Sequence, residues 1–176
     1  LRQAMQAGRF SPAEALALVP KVCNALQYAH EQGILHRDIK PANLLFDGGG
    51  RLRIADFGIA RALAEAAWTE PEDSLIGTAR YAAPEQATGG PIEGRSDVYA
   101  LAVTLVEAAT GEIPLGAPTA LATMVLRQGA DLPIPVALGP LAEVLRCAGK
   151  ADVGARLTAD QLVEALMTLA PSMPRP

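Results

Sequence analysis

The chain has 176 residues, half of them hydrophobic, with 15 Lys and Arg against 19 Asp and Glu. Length and apolar share make one domain with a real core, while the net charge of −4 and the absence of any Lys/Arg run argue against nucleic acid as the main partner. The longest strongly apolar stretch, residues 98–106, is half of the roughly 18 residues that a bilayer requires, and no secretory signal is visible. Aromatics are scarce and Ala and Leu abound, so the core is expected to be helical and aliphatic.

Residues 1–8 read as the end of a helix, and with Leu1 in first place the chain is expected to be a piece of a longer protein. Ser11, Pro12 and Glu14 make a capping box with proline at the first helical position. Leu16, Val19, Cys23, Leu26 and Ala29 follow at helical spacing until Gly33 closes the helix. Pro20 removes one backbone hydrogen bond and is expected to bend it near Leu16. His30 reads as a packed or capping histidine. Two apolar runs, residues 44–46 and 52–55, flank Asp47-Gly48-Gly49-Gly50, the pattern of a small antiparallel hairpin. Residues 59–82 carry mixed charge, Pro71 and few periodic apolar positions, a long loop of the kind that is functional or mobile. Ser96 and Asp97 open a helix that runs to Thr110 and stops at Gly111. Residues 98–106 are apolar on every face, which marks a buried spine.

Residues 111–114 form a turn, 118–128 a helix, and 132–135 an extended, proline-rich connection. Two further helices cover residues 141–148 and 158–169, the second with Thr158 as N-cap and Gln161 at the capping-box position. Residues 1–170 thus form one domain, and residues 171–176 a disordered tail. Cys23 and Cys147 lie far apart in helical patterns without ligand spacing, which favours buried reduced thiols in a cytosolic protein over a disulfide or zinc.

The chemistry concentrates in residues 36–56. If the hairpin loop is symmetric, Asn43 and Asp56 oppose each other at its open end with Cβ atoms ~5 Å apart. An amide oxygen and a carboxylate then converge beside Asp38 and Lys40, a place for a hard cation carrying phosphates. Any one of these residues alone reads equally well as a solvated turn residue or loop cap. Four together favour a site.

His36-Arg37-Asp38, Asn43, Asp56-Phe57-Gly58 and Ala83-Pro84-Glu85 stand in order at spacings that resemble the signature set of eukaryotic-type serine/threonine protein kinases, a family also found in bacteria. The resemblance covers residues 1–167. It implies an α+β, mainly α-helical fold: a kinase C-terminal lobe whose short β-hairpin carries the catalytic loop and metal site. The N-terminal lobe, with its Gly-rich phosphate loop, lysine and partner glutamate, has no counterpart in these residues, so this chain by itself is expected to be inactive.

By resemblance, Asp38 is the catalytic base for a substrate hydroxyl, and Lys40 steadies the transferring phosphoryl group and goes with serine/threonine specificity. Asn43 and Asp56 hold magnesium on the phosphates of ATP, making ATP and Mg2+ the implied cofactors. His36 packs on the Asp56-Phe57-Gly58 turn. Gly77, Thr78 and Tyr81 seat the acceptor, with Thr78 also able to bond Asp38 or Lys40, or else to be an ordinary turn threonine. Asp97 is either a first-turn acid favoured by the helix dipole or, as in the family, a buried acceptor for the catalytic-loop backbone. Arg156 either pairs with Glu85 or is solvated. Apart from the resemblance, the Arg37 guanidinium is placed to bind a regulatory phosphate on Thr69 or, second to it, Ser74; the alternative is an exposed loop with incidental hydroxyls and an Arg37 bonded only to backbone. Departures from the family pattern fall at Ala102, Leu115, Val153 and Leu157, away from the chemistry.

The function implied is transfer of the γ-phosphoryl group of ATP to serine or threonine hydroxyls of protein substrates by the complete protein. A pseudokinase or docking module without catalysis is the alternative, and a small-molecule phosphotransferase a third, disfavoured by the acceptor-seating segment that such enzymes lack. The expected partners are Ser/Thr proteins, ATP and, for autophosphorylation, a second copy of the protein. Neither nucleic acid nor membrane is an expected partner of this chain, whose expected location is the cytoplasm, with any membrane anchor residing in a segment outside it.

Overall fold

The computed structural model describes residues 1–6, 12–57 and 80–169. Readings that fall on Ser11, Gly58, Thr69, Ser74, Gly77, Thr78 and the tail lie outside the described residues. In chain order the elements are α1 (Arg2–Gln6), α2 (Pro12–Glu31), β1 (Leu44–Phe46), β2 (Leu52–Ile54), α3 (Pro84–Thr88), α4 (Gly94–Thr110), α5 (Ala120–Arg127), α6 (Pro140–Ala148) and α7 (Ala159–Leu169).

Helix α4 is the axis. Every residue from 96 to 106 is buried, as its unbroken apolar run requires. Helix α2 packs against α4 and α7, and α6 against the same two. Val19, Cys23 and Leu26 of α2 join Leu101 and Leu105 of α4, Leu141 and Leu145 of α6, and Leu162 and Leu166 of α7 in one core. Each such side chain, fully withdrawn from water, contributes about 1.5–3 kcal/mol. Gly111 ends α4 in the left-handed conformation, φ 80°, and its N–H donates to the Glu107 carbonyl. Among the described residues, no helix is long and apolar enough to cross a membrane.

Several local expectations need correction. Helix α4 begins at Gly94 behind Glu93, two residues before Ser96, because Ser96 N–H already donates to the Glu93 carbonyl at 2.9 Å and the Asp97 carboxylate is used elsewhere. Cys23 is buried, its thiol pushed up to about 12 by burial, whereas Cys147 is only half-buried; both are free. At the start of α7, Thr158 N–H donates to Gln161 Oε1 at 2.9 Å, the expected capping-box contact. Helix α5 is turned opposite to its apolar pattern: Thr123 and Arg127 are buried while Leu121, Val125 and Leu126 are exposed.

The hairpin forms, but its register differs from symmetric pairing of Asn43 with Asp56. Leu44 pairs with Ile54, Leu45 with Arg53 and Phe46 with Leu52, and Ala55 N–H donates to the Asn43 carbonyl at 2.9 Å. The cause is the turn. Asp47 Oδ1 accepts from Gly49 N and Arg51 N, both at 2.9 Å, and Asp47 N–H donates to the Arg51 carbonyl. The loop therefore closes on three glycines, the last in the left-handed conformation. A shift of one residue reverses which face a side chain takes, so Asn43 stands across from Ala55, and Asp56 lies one residue beyond.

Candidate active site

The loop before β1 is built on a buried carboxylate. Asp97, in the first turn of α4, is 1% exposed. Its Oδ2 accepts from His36 N at 2.9 Å and from the His30 ring at 2.8 Å, and its Oδ1 accepts from Arg37 N at 2.6 Å. The carboxylate thus fixes two successive loop amides, while His30, at the end of α2, supplies the third donor. His30 fits only because residue 94 is glycine: a Cβ there would stand 2.5 Å from its Nδ1. Thr104 Oγ1 adds a bond to the Ile39 carbonyl. Held in this way, Arg37 adopts φ 67°, a left-handed backbone that is strained for an arginine.

His36 is a strut between the two halves of the site. Its Nδ1 accepts from Asp38 N at 3.2 Å, and its Nε2 lies 2.8 Å from the Ala55 carbonyl. One donor at Nδ1 and one acceptor at Nε2 assign the proton to Nε2. The ring also meets Phe57 edge-on, centroids 4.7 Å apart. Asp38 is thereby tied to the backbone that precedes Asp56.

Asp38, Lys40 and Asn43 are in direct contact. Asp38 Oδ2 lies 2.8 Å from Lys40 Nζ and accepts from Asn43 Nδ2 at 3.0 Å, and the same amide nitrogen donates to the Asp38 carbonyl at 2.8 Å. Oδ1 of Asp38 is buried and has no hydrogen-bond partner among the described residues. An unpartnered carboxylate oxygen at such a position is costly and calls for a functional explanation. With its nitrogen committed to Asp38, the Asn43 amide keeps its oxygen at the opposite end. Asp56 is exposed, and its φ of 59° turns the chain sharply after β2. The Asn43 amide oxygen and the Asp56 carboxylate are hard donors of the kind that magnesium takes, so these residues fit the metal that the loop implies.

A second anchor lies where the chain re-enters the described region. Arg156 grips Glu85 with two bonds, Nη1 to Oε1 at 2.6 Å and Nη2 to Oε2 at 2.8 Å. Ser96 Oγ adds a third at 2.6 Å. Burial would push the Glu85 carboxyl up, but these bonds outweigh it and hold it below the ordinary range. Arg156 also donates to the Lys150 and Ala151 carbonyls and lies 4.7 Å over the Tyr99 ring. Beside Lys40 opens a groove of about 350 Å3, bordered by Arg2 and Met5 of α1 and by Ala42, Arg80, Tyr81 and Glu107. The Tyr81 hydroxyl donates to Glu107 Oε2 at 2.7 Å, and burial first, then Glu107, raises its pKa.

Sequence reasoning missed two of these parts. His30 and Asp97 are 67 positions apart, and no spacing rule joins them. Arg127, at the end of α5, is wholly buried, and the one available signal was its i+4 relation to Thr123 on a face that carries no Leu or Val.

The protein kinase domain family model matches residues 1–166. The chain is 41% identical over 130 residues to the serine/threonine-protein kinase PknB of Mycobacterium leprae, covering 73% of this chain and 20% of that protein. A probable serine/threonine-protein kinase of Corynebacterium efficiens is 47% identical over 108 residues, 61% of this chain and 16% of that protein. PknB of Mycobacterium tuberculosis is 40% identical over 131 residues, again 73% and 20%. The chain spans about a fifth of the length of these relatives, and its similarity to them is of the bacterial serine/threonine type. Matched over nearly its whole length, with a loop whose polar atoms are organised around Asp38, the chain belongs to the protein kinase domain family.

Proposed function

We propose that this chain is the C-terminal lobe of a protein kinase that transfers the γ-phosphoryl group of ATP to serine or threonine hydroxyls of proteins. The observation that carries the reading is the Asp38 carboxylate, one oxygen engaged by Lys40 and Asn43 and the other buried without a partner among the described residues. That second oxygen is suited to accept the proton of an acceptor hydroxyl as the hydroxyl oxygen attacks phosphorus, a positioned-base contribution of about 10²–10⁴-fold. Lys40 offsets negative charge next to it. Asn43 and Asp56 would hold magnesium, which when bound with ATP neutralises the phosphates and makes phosphorus the electrophile. The groove beside Lys40 would receive the polypeptide acceptor, and Arg37 would receive a regulatory phosphate from Thr69 or Ser74.

The test is transfer of label from γ-labelled ATP by the full-length protein to peptides bearing a single Ser, Thr or Tyr, with and without magnesium. Label on Ser and Thr peptides that depends on magnesium is the expected result. No transfer, or transfer confined to Tyr, would overturn the proposal.

A further inference from the structure

Arg127, the last residue of α5, is 0% exposed, yet among the described residues its guanidinium has no carboxylate partner. Nη1 donates to the Ala82 carbonyl at 2.9 Å and Nη2 to the Pro114 carbonyl at 3.2 Å, while the group lies 5.9 Å from the centre of the Tyr99 ring. Burying a cation without a counter-charge is costly, and an apolar side chain of similar volume would fill the space without that cost. Packing alone does not explain it.

What the cation holds does. The Ala82 carbonyl belongs to the same peptide unit as the Ala83 N–H, which donates to Gln86 Oε1 at 2.9 Å. Gln86 Nε2 donates in turn to the Arg37 carbonyl at 3.3 Å. One peptide plane is therefore gripped on its carbonyl edge from α5 and on its amide edge by a side chain bonded to the residue immediately before Asp38. Arg80 and Tyr81, just upstream, line the same groove as Lys40 and Ala42.

We infer that Arg127 and Gln86 clamp the 82–83 peptide so as to fix the width of the groove relative to Asp38, which makes Arg127 a positioning residue for the polypeptide acceptor. The assignment rests on the kinase reading for its functional consequence but not for its geometry. Breaking one charged hydrogen bond of the clamp weakens acceptor binding by about tenfold and leaves the nucleotide side unaffected, since Arg127 touches none of Asp38, Asn43 or Asp56.

The experiment compares full-length wild type with R127M and R127K. Steady-state rates are measured against acceptor peptide and against ATP, and hydrogen exchange is followed at the Ala83 and Gln86 amides. R127M is expected to raise KM for the acceptor about tenfold, to hold KM for ATP within about twofold, and to speed exchange at Ala83. R127K, which keeps the charge but not the fork, is expected to recover part of both changes. If R127M does not accumulate as folded protein, R127K alone should show an acceptor-specific rise in KM that is smaller than about tenfold. Equal changes in both KM values, or unchanged exchange at Ala83 in a folded variant, would overturn the clamp. A wild type without phosphoryl transfer would sink the kinase reading instead, and the exchange rates would still decide the clamp.

Discussion

Replacing Asp97 by Asn changes almost nothing in size and removes the carboxylate on which the loop at residues 36–38 is built. In the native structure Oδ1 serves Arg37 N at 2.6 Å, and Oδ2 serves both His36 N and the His30 ring. An amide offers one oxygen, so its better orientation keeps the Oδ2 pair and sets an NH2 against the Arg37 N–H. A lost hydrogen bond to a charged group is worth about 1.5–3 kcal/mol, partly offset because a charge no longer has to be buried. We expect D97N to cost about 2 kcal/mol of stability. The functional loss should be larger in proportion, because the same bond holds Arg37 at φ 67°, a conformation that stores about 1–3 kcal/mol. Once Arg37 relaxes, Asp38 leaves its place beside Lys40. At about tenfold per 1.4 kcal/mol, activity should fall by about 10²-fold. Urea unfolding, exchange at the 36–38 amides and phosphoryl transfer by the full-length variant measure the three consequences. Native-like protection of the Arg37 amide together with activity within about threefold of wild type would refute the reasoning.

Two further outcomes follow from the rest of the lobe. Arg156→Met leaves the Glu85 carboxylate buried without its guanidinium and should cost about 3–5 kcal/mol in urea unfolding. Because the folded Glu85 pKa lies below its ordinary 4.5, the native protein keeps this stabilisation above pH 4.5 and loses it as pH falls through the lower folded value, so acid unfolding of wild type should steepen there. R156M should lack that component; an unchanged acid profile would argue against the pair. Mass spectrometry of the active protein should find phosphate on Thr69 or Ser74, with Thr69→Ala plus Ser74→Ala reducing activity and Arg37→Ala reproducing the loss. Full activity of the double variant would end that proposal.

Periodic burial was legible in the chain itself. The apolar positions of α2 and the all-apolar run of α4 are one-dimensional signals, and both elements appear where they point. The two runs about Asp47 likewise announced a hairpin. Its register was not legible, because it depends on the Asp47 carboxylate bonding Gly49 and Arg51 and closing the loop on three glycines. Pairings across 60 positions or more, such as Asp97 with Arg37 and Glu85 with Arg156, leave no local trace, and only the family resemblance pointed to them. Arg127 drew no reading at all, because a basic residue in the last turn of a helix ordinarily belongs to solvent and the helix dipole, whereas here the exposed residues of that helix are Leu121, Val125 and Leu126.

The most direct measurement is single-turnover phosphoryl transfer by the full-length protein as wild type, Asp38→Asn and Asp56→Asn, each shown to be folded by circular dichroism. D38N is expected to lose about 10²–10⁴-fold in rate while still binding ATP with magnesium, and D56N to lose magnesium-dependent transfer. Near wild-type rates in either folded variant would contradict the roles assigned to Asp38 and Asp56.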